Sequence, residues 1–112
     1  MSKTATSPET GGSRVRGRRF RVPIVDSHLD WAHGLYRYVE EIYLPELKIA
    51  FNNEGYVFEA DEKRYKPMEL PDGREIYVEY LGEVEVPEED VKLLLRFLDL
   101  KKRVKNLISR YF

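Results

Sequence analysis

The apolar positions of this chain fall into two rhythms. From Pro87 to Phe112, Leu93, Phe97, Leu100, Val104, Leu107 and Tyr111 recur at spacings of 4, 3, 4, 3 and 4. That is a heptad a/d repeat held over nearly three heptads, and it predicts one long helix with an apolar seam. Val91, Leu94, Leu95 and Leu98 form a second apolar stripe beside it. A surface helix needs only one buried stripe, so one face is expected to pack within its own chain and the other on a second copy. Pro87 suits the first helical position, and Glu88, Glu89 and Asp90 suit the positive end of the helix dipole. Lys101, Lys102, Arg103, Lys105 and Arg110 crowd the opposite end, where cations are favoured.

The other rhythm has period two. Phe20, Val22 and Ile24 alternate against Arg19 and Arg21, which predicts a first strand. Leu47, Ile49 and Phe51 alternate up to the turn Asn52-Asn53-Glu54-Gly55, and Tyr56, Phe58 and Ala60 alternate back. Met68 and Leu70 lead to Pro71-Asp72-Gly73, followed by Ile76, Val78 and Tyr80, a second hairpin on a strong turn signal. Asp61 to Lys66 is a charged link between the hairpins. Gly82 is expected to mark a bulge, with Glu83 to Val86 continuing the strand. Between the first strand and these hairpins, Trp31, Leu35, Tyr38, Val39 and Ile42 fall at helical spacing. They predict a helix from about Ser27 to Leu44, capped by Ser27 with Asp30 and ended by Pro45.

Strand, helix, four strands, helix is an α+β order. It predicts a small antiparallel sheet of about four to five strands packed with helices, plus a long C-terminal amphipathic helix for dimerisation. The expected division is a disordered basic arm over residues 1–18, an α+β core over 19–86 and the C-terminal helix over 87–112. Residues 1–13 are small, polar and aperiodic.

Composition narrows the chemistry. The chain has 112 residues, 42% of them hydrophobic, enough for one domain with a modest core. It has no cysteine, so neither a disulfide framework nor a thiolate metal site is available. There is no apolar run of spanning length and no signal-peptide pattern, so a cytoplasmic protein without membrane contact is expected. Charged residues reach 35%, glutamine is absent and asparagine is confined to Asn52, Asn53 and Asn106. Many ion-pairing and few thermolabile residues is a thermophile pattern.

The net charge of −1 hides a partition. Residues 1–21 hold six basic side chains and one acid, +5; residues 22–90 hold six and eighteen, −12; residues 91–112 hold seven and one, +6. An acidic body therefore lies between two basic ends.

The string Ile24-Val25-Asp26-Ser27-His28-Leu29-Asp30 resembles the strand-end His-x-Asp of metal-dependent barrel dipeptidases. Those enzymes need a far larger barrel and further ligands. This chain has only one other histidine, His33, five residues on and on a different helix face, whereas a zinc site needs three or four converging donors. No glycine-rich phosphate loop and no Ser-His-Asp set is present. The expectation is a non-enzyme with no metal and no cofactor.

Aromatics and arginines carry the remaining signal. Eight Tyr, five Phe and one Trp make up 12% of the chain. Tyr36, Tyr43, Tyr65 and Tyr77 sit off the apolar stripes, and aromatic faces stack on unpaired bases at about 1–3 kcal/mol each. Arg14, Arg16, Arg18, Arg19 and Arg21, interleaved with Phe20, suit a single-stranded backbone. Those ten residues are the candidate nucleic-acid site. Leu93, Phe97, Leu100, Val104, Leu107 and Tyr111 are the candidate dimer interface. The plainer readings are that Tyr is a common strand residue and that a basic tail aids solubility.

This layout resembles the ThermoDBP family and its shorter relatives, archaeal single-stranded DNA-binding proteins. The features that carry the resemblance are the heptad, the aromatic hairpins and the thermophilic composition, together spanning about residues 20–112. It implies sequence-tolerant binding of single-stranded DNA or RNA by a homodimer or higher even oligomer with a leucine-zipper-like helix. The acidic body departs from that picture, because −12 repels phosphate. The alternative is a non-catalytic scaffold or assembly subunit whose basic ends contact the acidic bodies of partner chains.

Overall fold

The computed structural model describes residues 13–24, 37–69 and 73–112. Their order is β1 (Arg14–Ile24), β2 (Arg37–Leu44), β3 (Ile49–Asn52), β4 (Val57–Glu59), a 3₁₀ turn (Glu62–Tyr65), β5 (Met68–Glu69), β6 (Glu75–Ile76), β7 (Glu79–Pro87) and α1 (Glu88–Ser109). Five strands form one sheet in the order β4-β3-β2-β1-β7, and β5 pairs with β6 separately. β1 with β2, β2 with β3, and β3 with β4 run antiparallel. At the far edge the Glu88 amide donates to the Ser13 carbonyl at 2.9 Å, so the end of β7 lies beside the start of β1 and this pair also runs antiparallel.

This is the expected α+β architecture, corrected first in its helices. The sheet is not packed with helices: α1 is the one α-helix among the described residues. The helix predicted from Ser27 to Leu44 is a strand over its described part, β2, and its remainder lies outside the described residues. Glu41 explains the misreading. Val39, Glu41 and Tyr43 all point inward and are buried, and a charged residue at the middle inward position hides the period of two. With that residue discounted, Tyr38, Val39, Ile42 and Tyr43 are strand formers.

A second correction concerns the basic arm. Arg14, Arg16 and Arg18 belong to β1, held between β2 and β7, and are not part of a disordered tail. Gly17 fits this interior position. A Cβ there would sit 3.0 Å from Ile42, 3.1 Å from Leu44 and 3.2 Å from Val84, so the absent side chain lets three apolar groups close over β1.

The hairpins follow their turn chemistry. The Asn52 Oδ1 accepts from the amides of Glu54 and Tyr56 at 3.0 and 3.1 Å, and Gly55 takes φ +90°. The charged link folds into the 3₁₀ turn, with Asp61 accepting from the Lys63 amide at 2.9 Å.

The chain divides into two compact units, Gly17–Val84 and Glu85–Phe112 with the start of β1. In the first, Phe20, Val22, Val39, Tyr43 and Ala50 form the core, with Ile24, Phe58, Ala60, Tyr65 and Val78 packed against it. In the second, Val86, Val91 and Leu98 are buried.

Candidate interaction surfaces

α1 separates its two apolar stripes. Of the second stripe Val91 and Leu98 are buried, Leu94 is half-buried and Leu95 is 41% exposed, whereas Leu93, Phe97, Leu100, Val104, Leu107 and Tyr111 are between 45% and 75% exposed. At about 100° per residue, Val91 and Leu98 lie within roughly 20° of each other and the seam is centred roughly 200° away. The exposed seam therefore faces away from the side that the chain covers. Beyond Leu98 no residue of α1 is buried. Asp99–Ser109 is thus a bare stretch of helix with Leu100, Val104 and Leu107 in line. Ile108 and Phe112, which the heptad does not include, are exposed beside it.

Local interactions along α1 are modest. Lys92 lies 3.9 Å from Glu88 and Arg103 lies 3.0 Å from Asp99, both one turn apart and exposed. Such pairs contribute about 0.3–0.5 kcal/mol each. An isolated helix of about 12 residues is marginal in water, so these contacts do not account for the bare turns.

The predicted nucleic-acid residues do not form one exposed surface. The β1–β2 register sets Arg18 opposite Tyr43, Phe20 opposite Glu41 and Val22 opposite Val39. This places Phe20 and Tyr43 on the inner face, and both are buried, Tyr43 to 2% exposure. Tyr65 lies over them from the 3₁₀ turn, stacked on Phe20 at 4.4 Å and tilted against Tyr43 at 4.9 Å. Its ring faces are occupied by other aromatics, so Phe20, Tyr43 and Tyr65 cannot offer free faces to bases. Tyr77 is exposed and donates to Glu75 at 2.8 Å. That bond raises its pKa. Tyr36 lies outside the described residues.

The aromatic stack is locked by a carboxylate that the sequence reading missed. Glu41 is fully buried, and Arg64 grips it with two hydrogen bonds, Nε to Oε1 at 2.9 Å and Nη2 to Oε2 at 2.7 Å. The Tyr65 hydroxyl donates to Oε1 at 3.1 Å. The hydrogen bond to Glu41 raises the Arg64 pKa. Burial first, then the Glu41 charge, pushes the Tyr65 phenol well above its usual range. Arg64 also lies 4.6 Å over the Phe58 ring. Both Glu41 oxygens accept within this cluster, so the buried carboxylate is matched and the aromatic stack is held in place.

The arginines divide between faces. Arg18 lies 3.8 Å from Glu62 on the inner face. Arg19 and Arg21 project from the other face, where Arg21 sits 4.7 Å over the Tyr38 ring and 3.7 Å from Glu79. Arg19 borders a shallow cleft of about 140 Å³ with Glu40, Ile42, Phe51, Asn52 and Asn53. Arg14 and Arg16, at the start of β1, are exposed. Tyr38 was not among the predicted residues; its alternation with Glu40 and Ile42 was the signal for it.

Among the described residues, no group of His, Asp or Glu converges as a metal site, and no helix is long and apolar enough to cross a membrane. His28 and Asp30 lie outside the described residues. Comparison with protein families, curated proteins and solved structures found no match.

Proposed function

We propose that this chain is a non-catalytic assembly subunit that associates with copies of itself through the α1 seam. The observation that supports this reading is the stretch Asp99–Ser109, a helix with no buried residue and a continuous apolar line. Helices in proteins owe most of their stability to packing of an apolar face. A second copy supplies that packing. Full burial of a Leu or Phe contributes about 1.5–3 kcal/mol, and each seam residue retains roughly half of its surface to bury. The charge partition serves the same end: basic residues 91–112 at +6 can meet the −12 stretch of neighbouring chains.

Sedimentation equilibrium over a range of concentrations tests this. A dimer or higher even oligomer is expected, with Leu100→Lys/Leu107→Lys shifting it to monomer while far-UV circular dichroism retains the sheet. A monomeric wild-type chain at all concentrations overturns the reading.

A second reading is sequence-tolerant binding of single-stranded nucleic acid. What favours it is the Arg21–Tyr38 stack beside Arg19 on the face of the sheet away from the aromatic lock. Fluorescence titration with oligo-dT and duplex DNA at two salt concentrations tests it. Preference for the single strand, with log K falling against log salt, is the expected signature. No binding at low salt removes this role.

A further inference from the structure

We infer that two copies pair α1 antiparallel, so that each acidic helix start lies toward the basic end of the other. This rests on the self-association proposed above and adds orientation and register to it.

The seam permits either direction sterically. Its spacing of 4, 3, 4, 3, 4 reads the same from both ends, so an antiparallel pair brings all six residues into contact. Leu93 then meets Tyr111 of the second copy, Phe97 meets Leu107 and Leu100 meets Val104. Each large ring faces an aliphatic chain, and the pair is symmetric about Lys102.

Charge decides between the directions. A parallel pair sets Glu88, Glu89 and Asp90 beside their own copies at one end. It sets Lys101, Lys102, Arg103, Lys105 and Arg110 beside theirs at the other, with the two helix dipoles aligned. It also places Asp90, the a position before Leu93, in the seam against another Asp90. In heptad terms Arg96 is a g position and Lys101 the following e position. Parallel pairing matches these across the interface, twice, as like charges. Antiparallel pairing opposes the dipoles and brings unlike ends together. Its unfavourable features lie on the exposed flanks: Lys101 and Arg103 each come near their own copies about the two-fold axis, and Arg96 comes beside Arg110 of the second copy, both being g positions. Like charges on exposed flanks cost little and occur in both directions, whereas only the parallel pair sets Asp90 against Asp90 within the seam, where desolvation makes the repulsion costlier. The chain enters each helix from the −12 stretch. An antiparallel pair therefore also directs each basic end toward the side where the other copy's acidic chain joins.

The test uses the full chain, which has no cysteine of its own. Lys92→Cys carries a spin label at an exposed position outside the seam. An antiparallel pair puts the two labels roughly 30 Å apart along the axis, from about 1.5 Å per residue. A parallel pair puts them at about the interaxial spacing of 8–10 Å plus the label arms. In a second measurement, Phe97→Cys and Leu107→Cys are oxidised separately and as a mixture. Mixed disulfides only in the mixture support the antiparallel register. Disulfides within either single variant, or a short label distance, overturn the orientation and leave self-association standing. A monomeric mass for the wild-type chain overturns both.

Discussion

Replacing Arg64 by alanine should destabilise the sheet unit more than any surface change of similar size. Glu41 has no exposed surface, and both of its oxygens accept from Arg64. Removal of the guanidinium leaves a buried carboxylate with one remaining donor, the Tyr65 hydroxyl. Breaking a fully buried pair from one side costs about 3–5 kcal/mol. The Arg64 side chain is 35% exposed, so water can enter the vacated space and the cost falls to about 2–4 kcal/mol. Loss of the cation–π contact with Phe58 adds about 0.5–1 kcal/mol. For a unit of this size the total corresponds to a fall in Tm of roughly 10–40 °C.

Glu41→Gln should cost less, about 1–2 kcal/mol, because the half-exposed arginine can turn to solvent. Urea denaturation at neutral pH measures both. If a stranded buried charge causes the loss, Glu41→Leu combined with Arg64→Met should recover most of it, since an apolar pair leaves no buried charge. An Arg64→Ala loss under about 1 kcal/mol, or a double variant less stable than Arg64→Ala alone, would refute that cause.

Leu100 and Leu107 each have about half their surface still to bury, so changing both to Lys in two copies removes about 3–6 kcal/mol of association, a rise in Kd of at least about 100-fold by sedimentation. Tyr65 has its pKa raised by folding, so its contribution is complete below the unfolded phenol value near 10 and declines as pH climbs above it. The wild-type chain should lose stability in that alkaline range, and Tyr65→Phe should flatten the decline in a series of urea midpoints from pH 8 to 12. Gly17→Val should cost about 1–3 kcal/mol by overpacking against Ile42, Leu44 and Val84, seen as a lower urea midpoint with an unchanged slope.

The elements that the sequence made legible are those in which local and tertiary preferences agree. Gly55 and Gly73 both take positive φ where the turn signals require it, and β3 and β4 flank the first of them. Gly82 also takes positive φ inside β7, at the position where a bulge was expected. α1 runs from Glu88 to Ser109, within a few residues of its predicted limits, because the heptad and the charged ends reinforce each other. β2 was illegible because its inward face carries Glu41. The partner that makes a buried carboxylate tolerable, Arg64, is 23 residues away, and no pattern along the chain announces that pairing.

The candidate site divides on the same line. Which face of α1 stays uncovered could be read from spacing, because two stripes on one helix must point to two places. Which aromatics stay uncovered could not. Tyr43 looks available in sequence because a helix over 27–44 leaves it off the apolar stripe, whereas Phe20 already alternates with Val22 against Arg19 and Arg21. Strand pairing then places both on the inner side, under Tyr65. The charges shift meaning with them. Once β1 is a paired strand, its arginines no longer form a mobile polycation that wraps a backbone. Arg18 and Arg21 each lie near a glutamate of their own unit, and their positive potential is partly spent within the chain. The basic run Lys101–Arg110 differs: it holds five cations and no acid, Arg103 pairs with Asp99 just before it, and it flanks an apolar seam. A surface that joins uncovered leucines to excess positive charge suits a partner offering both apolar area and acids. The N-terminal part of α1 in a second copy has that composition.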